Sequence, residues 1–231
     1  CLRRELTELI PLPETKLNSG TVLVVGLGNR GVTPDSLGPR VAERVFVTRH
    51  IKEHMPEAFD FDIPSVCAIA PGVLGVTGVE TMDIVFGVAN KVKPDLIIAV
   101  DALASRRAAR ISTTIQLSDS GISPGSGVGN TRADLSRANL GVPVIAVGVP
   151  LVVYASTISQ DTISLIADET GLHGDEERLR ELAEQVIAKH LGDFIVTPKD
   201  IDVIVEDMAG ILANAINSAL FGNNLEQVRN M

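Results

Sequence analysis

Thr21-Val-Leu-Val-Val-Gly-Leu-Gly-Asn-Arg-Gly-Val-Thr-Pro-Asp-Ser-Leu-Gly38 constrains the fold more than any other stretch of the chain. An apolar run of strand length meets a glycine turn, and the turn meets a helix start that carries a carboxylate. Gly26, Gly28 and Gly31 match the dinucleotide fingerprint G-x-G-x-x-G. In a true nucleotide site the helix opens within the glycine run, and an acidic residue closes the second strand to hold the ribose. Here Thr33 reads as N-cap and Pro34 as first helical residue, beyond the third glycine. The next apolar run, Ser65 to Ala70, ends at Pro71-Gly72 without an acid. The segment therefore predicts a strand–turn–helix unit with chemistry other than nucleotide binding.

Apolar runs alternate with longer helical patterns along the 231 residues, of which 45% are hydrophobic. This predicts one α/β domain over 1–231: three layers, a predominantly parallel sheet and helices on both faces. The expected strands are 21–27, 64–70, 95–101, 112–118 and 143–149, and the expected helices 2–10, 35–49, 79–92, 155–170, 175–191 and 198–220. Residues 1–20 read as a helix and linker, and 195–222 as a C-terminal helix opening at Thr197-Pro198. Val79, Met82, Val85, Phe86 and Ala89 should form one buried face. Three Gly/Pro-rich loops, 28–34, 71–78 and 121–131, each follow an expected strand. Parallel strands would gather all three at the carboxyl edge, where α/β folds place ligand sites.

A net charge of −9 provides no broad basic surface for nucleic acid, and one tyrosine with no tryptophan leaves little stacking platform. The longest apolar stretch, Leu140 to Ala155, is short for a membrane span and is broken by Pro143, Gly148 and Pro150. Cys-Leu-Arg-Arg-Glu-Leu at the start lacks the apolar centre of a signal peptide, so a cytoplasmic location is expected. Cys1 and Cys67 form no C-x-x-C, and Cys67 reads as a buried, unreactive thiol.

Asp35 falls in the first turn after strand one, and Asp101 ends the apolar strand Leu96-Ile-Ile-Ala-Val-Asp. Each has an ordinary structural reading, as helix cap and strand-end turn residue. If their strands are neighbours, both carboxylates open on one cleft. Close carboxylates do not both ionise easily, so one keeps a proton while the other activates water. Asn29 reads as turn former or donor to substrate, Thr33 as a cap, and His50 as a helix-end cation. Ser36, Ser105 and Ser126 lack a nucleophile elbow and an evident base.

Val24-Val-Gly-Leu-Gly-Asn, Val32-Thr-Pro-Asp-Ser-Leu-Gly-Pro, Val47-Thr-Arg-His, Pro71-Gly-Val-Leu-Gly-Val-Thr-Gly-Val-Glu, Ile98-Ala-Val-Asp-Ala-Leu-Ala, Ser118-Asp-Ser-Gly-Ile-Ser-Pro-Gly-Ser-Gly-Val-Gly-Asn and Val196-Thr-Pro-Lys-Asp resemble the germination protease family of spore-forming bacteria. The likeness covers most of the chain. It implies an atypical aspartic endopeptidase, acting in the spore core on small acid-soluble spore proteins, made as a zymogen and assembled into homotetramers. It matches the family's two essential aspartates to Asp35 and Asp101; no cofactor is expected.

The turn is more remotely similar to hydrogenase-maturation endopeptidases, which bind a metal. On that alignment Asp35 and Asp101 become ligand positions, yet a metal normally recruits a histidine or a third carboxylate, and loop 118–131 offers only Asp119. The germination family's leading segment, with its propeptide, falls before Cys1, and the stretch from Asp161 to Phe194 is shorter than the family pattern. The chain is thus expected to be a processed or trimmed form, or one with residues skipped. The alternatives to an aspartate-pair endopeptidase are a metal-dependent maturation-type endopeptidase and a non-enzymatic oligomeric binding module.

Overall fold

The computed structural model describes residues 1–230 apart from 56, 58, 60, 124–133, 172–175 and 191–193. Six strands form one sheet: β1 (Thr21–Gly26), β2 (Ser65–Ile69), β3 (Leu96–Ser105), β4 (Gln116–Ser118), β5 (Val144–Tyr154) and β6 (Ile195–Val196). Their order is β2-β1-β3-β5-β4, with β6 paired to the far end of β5. β2, β1, β3 and β5 are parallel, whereas β4 and β6 run antiparallel to β5.

The central strands are apolar on both faces because both faces are covered. Val22, Val24, Leu96, Ile98, Val100, Ile145 and Val147 face one layer, formed by α1 (Leu2–Leu9), α3 (Leu37–Ala42), α10 (Ile201–Phe221) and α11 (Leu225–Arg229). Leu23, Val25, Ile97 and Ala99 face the other, where α6 (Thr81–Val92) packs through Val85 and Ala89. This is the three-layer, predominantly parallel α/β architecture expected. Short helices α2 (Glu14–Ser19), α4 (Arg49–His54), α5 (Leu74–Thr77) and α7 (Arg137–Leu140) fill connections. Helices α8 (Ala155–Thr170) and α9 (Glu176–His190) pack on each other beyond the carboxyl end of β5.

Several expectations need correction. The helix expected over 35–49 breaks after Ala42, because tertiary hydrogen bonds hold the following backbone. The Phe46 N–H donates to Asn217 Oδ1 at 2.9 Å, and Thr48 serves the outer edge of β2, its N–H reaching Val66 O at 2.9 Å while its Oγ1 accepts from Val66 N. Residues 14–19 are helical rather than linker, and the last long helix opens at Ile201 with Asp200 as N-cap, three residues later than expected. The buried row of α6 is Thr81, Val85 and Ala89, leaving Val79 and Phe86 exposed. Cys67 is half-buried rather than fully buried.

β5 continues through Pro150 to Tyr154, although the proline suggested a stop at 149. The register between β3 and β5 shifts between Leu103 and Ala104, opposite Pro150, so the residue without an N–H falls at an irregularity of the ladder. The strand expected over 112–118 shrinks to three residues and is antiparallel. Its end, Ser118, lies level with Ala146, so the chain after it leaves from the amino edge of the sheet. Loops 28–34 and 71–78 do emerge at the carboxyl edge; loop 121–131 does not start there, and its residues from 124 lie outside the described residues.

Helix α10 with its continuation to Arg229 is long and apolar enough to cross a membrane by length and composition. Its buried stripe, Val205, Ala209, Leu212, Ala213 and Ile216, nevertheless packs into the core beside β1 and β3.

Candidate active site

β1 ends at Gly26, level with Val100 of β3, while β3 and β5 run on for several residues. The sheet is therefore stepped, and Asp101 is the first β3 residue past the step. Strand alternation places it on the same side as Ile97 and Ala99. Asp101 is 5% exposed, and its Oδ1 accepts the Ala102 N–H at 2.9 Å.

Asp35 arrives from β1 through a turn that wraps over the step. Gly28 has φ +112°, a conformation open to glycine, and a Cβ there would meet the Asp35 carbonyl oxygen at 2.0 Å. The Asn29 side chain holds the turn by accepting the Gly31 N–H at Oδ1, 2.9 Å, while the Asn29 N–H donates to Asp35 Oδ2 at 2.7 Å. Thr33, Pro34 and Asp35 form one 3-10 turn, with Val32 at the N-cap and no side-chain cap; Thr33 is thus inside the turn rather than its cap. Fully buried Ser36 follows, its Oγ donating to Thr33 O at 2.8 Å and accepting from Arg40 Nε at 3.1 Å. Arg40 and Arg44 both pair with Glu206, tying α3 to α10.

The glycines of the fingerprint serve close packing. A Cβ on Gly26 would meet Gly38 O at 2.0 Å, and one on Gly38 would meet Leu27 O, Leu27 N and Val100 O within 2.4 Å. Glycine against glycine lets the first turn of α3 sit directly on the ends of β1 and β3, which is what brings Asp35 to Asp101. A Cβ on Gly31 would approach only Asn29 Oδ1, at 3.3 Å. Sequence reasoning set the nucleotide motif aside but did not find Gly38 as the partner of Gly26; the signal available was a glycine just behind the first-turn carboxylate.

Electrostatically the two carboxylates are unequal. Burial, then the Asp35 charge, pushes the Asp101 carboxyl up to about 8, against a smaller downward pull from the Ala102 N–H. Asp35, half-buried, is also raised by burial, and the Asn29 N–H opposes that shift. Each carboxylate thus engages one backbone amide, and the two share a poorly hydrated edge where a single proton between them is favoured.

His50 and His54 are exposed on α4, and His190 is exposed at the end of α9; His173 lies outside the described residues. Among the described residues no three of His, Cys, Asp and Glu gather as a metal-ligand set. Burial raises the Cys67 thiol, whose Sγ lies 3.7 Å from Val22 O, as suits an unreactive group.

Fold and site together define an α/β protein with two carboxylates, one buried and one half-buried, at the carboxyl edge of its sheet. The germination protease family model matches residues 2–178 and 170–230. The chain is 48% identical to a germination protease of Clostridium acetobutylicum, over 94% of this chain and 70% of that one. It is 50% identical to one of Caldanaerobacter subterraneus, over 86% and 65%, and 43% identical to one of Bacillus cytotoxicus, over 86% and 66%. Among solved structures it is similar to a nickel–iron hydrogenase maturation protease of Thermococcus kodakarensis KOD1, with 16% identity and a TM-score of 0.45 over 92% of this chain and 98% of that one. The chain belongs to the germination protease family, and it is accordingly a peptidase of spore germination.

Proposed function

We propose that this chain is an aspartic-type endopeptidase in which Asp35 and Asp101 hydrolyse the peptide bond, with small acid-soluble spore proteins as substrate. The observation that carries the reading is the 5% exposure of Asp101 just past the step of the sheet, where burial and the nearby Asp35 charge favour a proton on it and leave Asp35 as the base. Ionised Asp35 takes a proton from a water as the water oxygen attacks the scissile carbonyl carbon. Asp101 gives its proton to the carbonyl oxygen, which avoids a full oxyanion. The resulting gem-diol collapses: the C–N bond breaks, the amine nitrogen receives the proton held by Asp35, and Asp101 recovers one from a hydroxyl. Both carboxyls return to their starting states. We propose further, on the sequence resemblance alone, a cytoplasmic, spore-core enzyme made as a zymogen and working as a homotetramer.

Incubation with a purified small acid-soluble spore protein, with and without a chelator, tests the reading. Cleavage at an undiminished rate in chelator, and a drop of about 10⁴-fold or more in Asp35→Asn, are the expected results. Loss of cleavage on chelation would instead favour a metal-dependent enzyme. Full cleavage by Asp35→Asn would remove the carboxylate pair from the mechanism.

A further inference from the structure

Ser36 follows Asp35 directly, carries a hydroxyl that the hydrolysis does not use, and is fully buried. A polar group holds such a place at low cost only where it is bonded. Here the hydroxyl proton and a lone pair are both committed, the proton to Thr33 O at 2.8 Å and the oxygen to Arg40 Nε at 3.1 Å. Ser36 therefore has no free proton to bring to the reaction, and its bonds act on the backbone.

The backbone they act on is weakly held otherwise. Thr33–Asp35 is a single 3-10 turn without a side-chain cap. The Asp35 N–H closes it on Val32 O at 2.9 Å, and the Ser36 N–H on Thr33 O at 3.1 Å. A turn of this length is marginal alone, because so few bonds do not offset the ordering of its residues. Packing leaves its outer side open, since Arg30, Gly31, Val32 and Thr33 are exposed.

On the inner side the Ser36 hydroxyl gives Thr33 O a second donor, and Arg40 carries the constraint onward. While its Nε bonds Ser36, its Nη1 reaches Glu206 Oε2 of α10 at 2.7 Å, and Arg44 pairs with the same carboxylate. Only a guanidinium fork serves both partners at once; a lysine has one nitrogen. A line of bonds thus runs from a core helix to the carbonyl two residues before Asp35. Along the turn, Asp35 Oδ2 accepts the Asn29 N–H at 2.7 Å, a bond that lasts only while the turn keeps its place. Catalysis by a positioned group is sensitive to such placement, about 1 Å of displacement costing as much as a hundredfold.

We propose that Ser36 and Arg40 are positioning residues, a hydroxyl–guanidinium line anchored on Glu206 that fixes the Asp35 turn against Asn29. The inference deepens the endopeptidase reading and rests on it for the role of Asp35 as base. Neither residue touches a reacting atom.

The test assays Ser36→Ala, Arg40→Lys and the double variant on a purified spore protein. Val228→Ala, a core truncation in α11 beyond the far end of α10, shows what lost stability alone does. Ser36→Ala should lower kcat about tenfold and leave KM within about twofold. Arg40→Lys keeps the charge beside Glu206 but loses the second nitrogen, and should lower kcat to a similar extent. The double variant should be no worse than the poorer single one, and Val228→Ala should keep kcat within about twofold. Wild-type kcat in Ser36→Ala, an equal drop in Val228→Ala, or single effects that multiply in the double variant would overturn the line. A second readout needs no cleavage. The Asn29 amide proton, donating to a carboxylate, should resonate far downfield in ¹H–¹⁵N NMR, move upfield in Ser36→Ala and stay in place in Val228→Ala. An Asn29 amide unmoved by Ser36→Ala defeats the positioning role. An inert wild type whose Asn29 amide still moves in Ser36→Ala supports that role and defeats the catalytic reading alone.

Discussion

Asp101→Asn should yield a protein that is more stable at neutral pH than wild type and catalytically dead. The buried Asp101 carboxyl titrates at about 8 in the fold against about 4 in the unfolded chain. Between those values the folded state holds a proton that the unfolded chain has released, so wild-type stability falls as pH rises across that window. Below about pH 4 there is no penalty, and above about 8 it is complete. Asparagine never ionises and still accepts the Ala102 N–H. The variant therefore gains up to about 4 kcal/mol at pH 7, from three pH units at about 1.36 kcal/mol each, and the gain shrinks toward pH 4. Urea midpoints at pH 4.5 and 7 for both proteins check the sign. An unchanged or lower midpoint at pH 7 would show that Asp101 is not held against its charge. Activity should fall about 10⁴-fold or more, because the proton donated to the carbonyl oxygen is gone.

Gly38→Ala should be among the most damaging single methyl additions in the molecule. The new Cβ would lie 2.3 to 2.4 Å from Leu27 O, Leu27 N and Val100 O, all main-chain atoms of the two strand ends that frame the site. Backbone cannot swing away as a side-chain tip does, so α3 must lift from the sheet, at about 3 kcal/mol or more. Asp35 lifts with it. Gly87→Ala is the control: Gly87 sits within α6 with open space where its Cβ would go, and alanine there should stabilise by about 0.5–1 kcal/mol. Urea denaturation and cleavage assays on the pair separate helix propensity, which favours alanine at both positions, from the close approach, which forbids it at one.

The same contrast shows what the sequence disclosed. The four parallel strands were legible because strands covered on both faces read as unbroken apolar runs, and the two aspartates were legible because each closes or follows such a run. Strand direction was not: the residues of Gln116–Ser118 look alike whether they run with or against β5, so the third glycine loop was assigned to the wrong edge. The length of α3 was hidden for another reason, since Phe46 and Thr48 leave the helical path to bond Asn217 and Val66, partners 171 and 18 residues away. Phe86 fitted the apolar period of α6 but faces outward, because the helix settles on its smaller residues Thr81, Val85 and Ala89.

The unequal ionisation of the pair is the account's central claim, and the pH titration of the aspartate carboxyl carbons by ¹³C NMR, in wild type and Asp35→Asn, tests it most directly. The account predicts a midpoint near 8 for Asp101 in wild type, a lower midpoint once the Asp35 charge is removed, and a cleavage rate that falls as Asp101 loses its proton. An Asp101 midpoint near 4, unmoved by Asp35→Asn, would contradict it.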